Sequence, residues 1–152
     1  MNIALASDHA GYDLKAAVAR YLGEQKIPFL DFGSGPGETA DYPDPAEAAV
    51  RSVLAGASDR AILFCGTGIG MAMVANKFPG IRAAVCWNLE TAELVRRHND
   101  SNCLALGGRV LSAAEGVPIV RVWLDTPFDG GRHRRRLDKL EALEARLCGP
   151  RN

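Results

Sequence analysis

Ala61-Ile-Leu-Phe-Cys65-Gly66-Thr67-Gly68-Ile69-Gly70-Met71 is the stretch on which the reading of the chain turns. An apolar run ends in one cysteine, and glycines follow at alternate positions. The spacing predicts a buried strand over Arg60–Cys65, a tight loop, and a helix over Ile69–Lys77. Backbone N–H groups in such a loop and at a helix start converge on one spot and favour negative charge there. A thiol at the mouth of that nest has its thiolate form stabilised.

Upstream, Asn2–Ser7 is a short apolar run broken by Asp8-His9-Ala10-Gly11. Tyr12–Gln25 then carries Leu14, Val18, Tyr21 and Leu22 at helical spacing. Ile27–Phe32 reads as a second strand, closed by Gly33-Ser34-Gly35-Pro36-Gly37. After Asp41-Tyr42-Pro43-Asp44, a helix over Pro45–Ala55 begins behind its proline. Downstream, Arg82–Trp87 and Cys103–Leu106 read as strands, with a helix over Thr91–His98 between them. Another helix ends near Leu124, with Val117, Val120 and Trp123 facing inward. The last helix, His133–Leu147, sets Leu137, Leu140, Leu143 and Leu147 on one stripe.

Strands that alternate with helices in this way predict a single α/β domain over residues 1–152. The expected architecture is a three-layer Rossmann-like fold, a five-stranded parallel sheet covered on both faces and followed by a C-terminal helix. Ligands of such folds bind beyond the carboxyl ends of the strands. The polar breaks carrying Asp8-His9, Asp41–Asp44, the Cys65 loop and His98-Asn99 are therefore expected to meet at one rim.

Composition narrows the function. Lysine plus arginine balance aspartate plus glutamate at 18 each, so no bulk charge argues for nucleic acid or an anionic membrane. No apolar run approaches the roughly 18 residues of a membrane span, and the N-terminus lacks the basic region of a signal peptide. A cytoplasmic protein is expected. The four cysteines, Cys65, Cys86, Cys103 and Cys148, stand far apart with no histidine at metal-ligand spacing, which argues against structural zinc and against a disulfide framework. Cys86 and Cys103 lie in apolar runs and read as small core residues.

Three familiar loops can be tested by counting. The dinucleotide fingerprint needs glycine where Met71 stands. A P-loop needs a Gly-Lys pair that is missing here, and a cysteine-phosphatase loop would place arginine at position 71. What remains is a nest without a cation of its own, better suited to an oxyanion formed during reaction than to a permanent phosphate. Cations gather elsewhere, in Arg132-His133-Arg134-Arg135-Arg136. At the start of a helix they oppose the macrodipole, and a bound phosphate would relieve that conflict. Arg132 and Arg136, four residues apart, share a helical face; Arg134 and Arg135 read as solvated surface.

Taken together, Cys65-Gly-Thr-Gly-Ile-Gly70, Ala75-Asn-Lys-Phe78, Gly80-Ile-Arg-Ala83, Arg97-His-Asn-Asp100, Leu106-Gly-Gly-Arg109 and Gly131-Arg-His133 resemble the type B ribose-5-phosphate isomerases. Ser7-Asp8-His9-Ala-Gly11 and Asp41-Tyr42-Pro43 match as well, so the resemblance runs the length of the chain. It implies cofactor- and metal-independent interconversion of an aldose phosphate and its ketose through an enediolate. It also implies a homodimer or homotetramer with active sites shared between subunits, the 133–147 helix contacting a partner. Carried onto this sequence, Cys65 is the base that moves the proton between C1 and C2. Gly66, Gly68, Ile69 and Gly70 form the oxyanion loop, and His98 with Thr67 assists ring opening. Asp8, Tyr42 and Asn99 orient the sugar, and His9, Arg109, Arg132 and Arg136 hold the phosphate. A four- or six-carbon sugar phosphate, or a non-catalytic binding module on the same fold, stay as alternatives. Thiol redox chemistry is disfavoured for want of a nearby resolving cysteine.

Overall fold

The computed structural model describes residues 1–149; residues 150–152 of the expected domain lie outside them. The strands are β1 (Ile3–Ser7), β2 (Phe29–Asp31), β3 (Arg60–Cys65), β4 (Ala83–Val85) and β5 (Cys103–Gly107). The helices are α1 (Tyr12–Glu24), α2 (Pro43–Leu54), α3 (Ile69–Ala75), α4 (Leu89–Asn99), α5 (Ala113–Asp125) and α6 (Arg132–Cys148). All strand pairs are parallel, in the order β2-β1-β3-β5-β4. This is the expected three-layer α/β fold.

Side-chain alternation along the three central strands sorts the core into two halves. Ile3, Leu5, Ile62, Phe64, Leu104 and Leu106 face α1, α4 and α5, where Leu14, Val18, Leu22, Ile119 and Trp123 meet them. Ala4, Ala6, Ala61, Leu63, Cys103 and Ala105 face α2 and α3. The alanine-rich second face lets its helices approach closely, and it is the face that carries Cys65. Each large aliphatic side chain so buried contributes roughly 1.5–3 kcal/mol. Tyr21, expected inward, is only half-buried at the edge of this core.

The two edge strands are shorter than their apolar runs suggest. β2 covers Phe29–Asp31 rather than Ile27–Phe32, and β4 covers Ala83–Val85 rather than Arg82–Trp87. Each is an edge strand with a partner on one side only, and its pairing covers three residues, Ile3–Leu5 against Phe29–Asp31 and Ala83–Val85 against Cys103–Ala105. Trp87, just past β4, is 59% exposed, whereas Trp123 is fully buried and donates its indole N–H to Ser101 Oγ at 2.7 Å.

The stripe on α6 divides. Leu137 is buried, but Leu140, Leu143 and Leu147 are exposed along a groove bordered by Ala83, Ala84 and Val95. Glu144 anchors the helix there by accepting the Gly80 N–H at 3.0 Å. No helix among the described residues is long and apolar enough to cross a membrane.

Candidate active site

The sheet order reverses between β1 and β3, since the chain leaves β1 toward β2 and later adds β5 and β4 beyond β3. A crevice outside the carboxyl ends of those two strands is the natural ligand site of this topology. β1 delivers Asp8 to it and β3 delivers Cys65, tied together by the Asp8 N–H donated to Phe64 O at 3.1 Å. One Asp8 oxygen accepts the Ala10 and Gly11 N–H groups at 2.9 Å each, which fixes the turn into α1. His9 follows on the exposed side of that turn.

The Cys65 loop has a defined internal geometry. Gly68 adopts φ +80°, a conformation suited to glycine, and its N–H donates to Cys65 Sγ at 3.1 Å. Ile69 N–H donates to Thr67 Oγ1 at 3.3 Å. The nest is thus partly occupied from within, and Gly68 serves the sulfur itself. α3 spans only seven residues, so a loop amide rather than a long helix dipole is the sulfur's nearest donor. Cys86 and Cys103 are the other buried thiols among the described residues. Burial pushes the Cys86 thiol up to about 11, against a smaller opposing effect of its hydrogen bond with Thr91, and it raises the Cys103 thiol as well. Both are inert core thiols.

Two further side chains reach this loop. The Tyr42 ring lies so close to Gly70 that a Cβ there would stand 3.0 Å from its Cε2 and Cζ. The Arg109 side chain lies beside Gly66, 3.4 Å from where a Cβ would be, and the Arg109 N–H donates to Gly66 O at 3.0 Å. Asp8, His9, Tyr42, Cys65–Gly70 and Arg109 therefore form one cluster at the carboxyl rim.

His98, Asn99, Arg132 and Arg136 do not join it, and the expectation of a single rim fails for them. α4 returns the chain from the carboxyl end of β4 to the start of β5, so its last residues lie at the opposite edge of the sheet. Three residues beyond Asn99, Asn102 O accepts the N–H of Ala61 at the very start of β3. Ala61 and Cys65 are separated by about 13 Å of strand at 3.3 Å per residue.

This second cluster is firmly built. Asp100, in the left-handed region at φ 44°, closes α4 and accepts from Arg96 at 2.8 Å and Arg82 at 3.0 Å. Arg82 also donates to Asn99 O, and Arg96 to Ser101 O. The His98 ring stacks on His133 with centroids 4.3 Å apart and planes 8° from parallel. His133 is buried, and its Nδ1 has no partner among the described residues. Arg132 Nε approaches His133 Nε2 at 3.4 Å, leaving the neutral ring to carry its proton on that unpartnered Nδ1. Burial, then His98, Arg132 and Arg136, hold the His133 imidazole below its ordinary range, while Asp129 opposes them. Arg134 belongs elsewhere: it pairs with Asp138 at 2.7 Å and Glu141 at 2.6 Å.

The ligating atoms of His98, Asp129 and His133 lie within 4.8 Å of one another. Two parallel stacked rings cannot direct in-plane nitrogens at one ion, and the surrounding charges are guanidinium groups. The corner suits an anion better than a cation. Sequence reasoning did not single out His133 or Asp129, because stacking and an orphaned nitrogen leave no trace in spacing.

Comparison with known proteins bears on both clusters. A family model described as ribose/galactose isomerase matches residues 3–140. Ribose-5-phosphate isomerase B of Escherichia coli is 42% identical over 144 residues, covering 95% of this chain and 97% of that one. The structure of Clostridium thermocellum ribose-5-phosphate isomerase B superposes with a TM-score of 0.94 at 44% identity, covering 97% of this chain and 99% of that one. The Mycoplasma genitalium ribose-5-phosphate isomerase B, solved with bound ribulose-5-phosphate, gives 0.87 at 39% identity, covering 94% and 95%. With two separate constellations of polar residues on one parallel sheet and likeness along nearly its whole length, the chain belongs to the ribose/galactose isomerase family.

Proposed function

We propose that the protein interconverts ribose 5-phosphate and ribulose 5-phosphate through an enediolate, with Cys65 as the base. The observation that carries this reading is the Cys65 sulfur, placed at the topological switch point and accepting the Gly68 N–H at 3.1 Å. The backbone donor holds the sulfur in place, and the thiolate is the form able to take a carbon-bound proton. The thiolate removes the C2 proton of the open aldose and returns it to C1. Meanwhile the hydroxyl proton on O2 moves to O1, so the ketose is an isomer and nothing is consumed. Donors of the Gly66–Gly70 loop stabilise the enediolate oxygen, and one good donor contributes roughly 3–4 kcal/mol to such a step.

A complete site on this reading joins the carboxyl-rim cluster of one subunit to the His98, Asn99, Arg132 and Arg136 cluster of a second copy. His98 and Thr67 then assist opening of the sugar ring, Asp8, Tyr42 and Asn99 orient the hydroxyls, and His9 and the three arginines hold the phosphate. The separation of the two clusters within one chain supports this pairing. So does the exposed apolar surface of Ile69, Met73, Trp87, Leu140 and Leu143, which a partner would cover.

Reaction of ribose 5-phosphate in D2O should place solvent deuterium at C1 of the ketose, and Cys65→Ala should lose activity by roughly 10²–10⁴. A Cys65→Ala enzyme with undiminished turnover would remove the thiol from the mechanism. Erythrose 4-phosphate and allose 6-phosphate in the same assay decide chain length. Refolding Cys65→Ala together with His98→Gln tests the shared site. Random pairing into dimers leaves one intact site in half of them, so about a quarter of the activity should return. A mixture as inactive as its parents would place both residues in one subunit's site.

A further inference from the structure

The loop between α5 and α6 sets Asp129 against the stacked histidines. Its N–H donates to Arg97 O at 3.0 Å, and its carboxylate accepts Arg97 Nε at 3.1 and 3.2 Å. Arg97 is held from the other side by Glu93, one turn earlier on α4, at 3.1 Å. Asp129 is thus bound at backbone and side chain, with one carboxylate oxygen within 4.8 Å of one ring nitrogen each of His98 and His133.

The charged groups facing His133 are Arg132 and Arg136 from α6 and Asp129 from the intervening loop, with Arg97 of α4 paired to Asp129. Among them Asp129 is the one negative charge. A proton placed on His133 meets the Arg132 and Arg136 guanidinium groups and a second imidazole 4.3 Å away.

We propose that Asp129 is a positioning residue for the isomerase: clamped by Arg97, it fixes the His98–His133 stack and supplies the negative charge that lets the pair hold a proton amid the arginines. The inference rests on the reading of His98 as a ring-opening residue. Ring opening takes the proton from the C1 hydroxyl and puts one on the ring oxygen as the C1–O bond breaks, so a group that both takes and gives a proton is what the step requires. An arriving phosphate adds negative charge at the same corner and reinforces Asp129.

The sequence contains three histidines, His9, His98 and His133, so their C2–H proton resonances can be assigned by single substitution and titrated directly. In Asp129→Asn, which keeps size and a hydrogen bond to Arg97, the His133 resonance should titrate at lower pH than in the wild type. The kcat/KM for ribose 5-phosphate at pH 7 should fall roughly tenfold, with its alkaline limb displaced the same way. Glu93→Gln removes the other Arg97 partner without facing the histidines and should change neither curve. An Asp129→Asn titration that overlays the wild type would overturn the proposal. So would a displaced titration with an unchanged pH–rate profile. His98→Gln with full activity would instead defeat the ring-opening reading while leaving the titration shift in place.

Discussion

Gly70→Ala sets stability and activity against each other. Gly70 lies in the first turn of α3 and is not among the positive-φ glycines, so alanine fits its backbone. Helix propensity alone should then stabilise the variant by about 0.5–1 kcal/mol. The new Cβ would stand 3.0 Å from Tyr42 Cε2 and Cζ, where carbon atoms prefer about 3.5–4.0 Å. The ring must therefore retreat by roughly 0.5–1 Å. At 40% exposure Tyr42 has open space to do so, which keeps the cost to stability small. The cost falls on geometry, because a 1 Å misplacement at a reacting site can lower the rate by about 10². Thermal unfolding should show an unchanged or slightly raised midpoint, while ketose formation from ribose 5-phosphate drops roughly 10–100-fold in kcat/KM. Gly68→Ala should do the reverse to stability. At φ +80°, with Leu106 and Ala105 backbone atoms 3.0–3.2 Å from the Cβ, it should cost about 1–2 kcal/mol. A Gly70→Ala enzyme with wild-type kcat/KM would refute the argument, as would an activity loss fully accounted for by unfolding.

Three other perturbations follow from the described contacts. Lys15 Nζ, with its side chain 4% exposed, binds both Asp31 oxygens at 2.8 Å, while the Asp31 side chain is 40% exposed. Asp31→Asn strands a buried ammonium and should cost about 2–3 kcal/mol in urea unfolding, whereas Lys15→Met leaves a water-accessible carboxylate and should cost about 1 kcal/mol; equal losses would contradict the asymmetry. Arg132→Ala should raise KM for the sugar phosphate with kcat largely kept, and an unchanged KM would take the phosphate away from that side chain. Because His133 is held below its ordinary range, the unfolded chain binds more protons as pH falls through about 6.5. Stability is then present above that pH and lost below it; urea midpoints from pH 5 to 8 should show a shallower slope in His133→Gln.

What the sequence discloses depends on how local the cause is. Arg60–Cys65 is found with its observed bounds because an apolar run abutting a glycine loop is a purely local signal. β4 is not, because Cys86 and Trp87 continue the apolar run past Val85, whereas the ladder to β5 ends at the Val85–Ala105 pair. Asp8, His9 and the Cys65 loop follow strand ends directly and are legible as rim residues, whereas Tyr42, far past β2, and Arg109 enter through the resemblance. His98, expected at that same rim, lies at the opposite edge of the sheet. The return direction of the helix in a strand–helix–strand unit decides its place, and helical periodicity says nothing of direction. His133 and Asp129 were missed altogether. Their relation to His98 spans an entire helix and exists only once α6 crosses the end of α4.

The contrast between the two tryptophans gives this protein a pair of built-in optical reporters. Trp123, sealed in the core and hydrogen-bonded to Ser101, emits from an environment that changes only when the fold is lost. Trp87, open to solvent beside the edge strand, emits from a surface that a second subunit would cover. On the proposed pairing of subunits, dilution should redden the Trp87 emission and expose it to a collisional quencher while leaving Trp123 untouched, which would separate assembly from unfolding in one unlabelled sample.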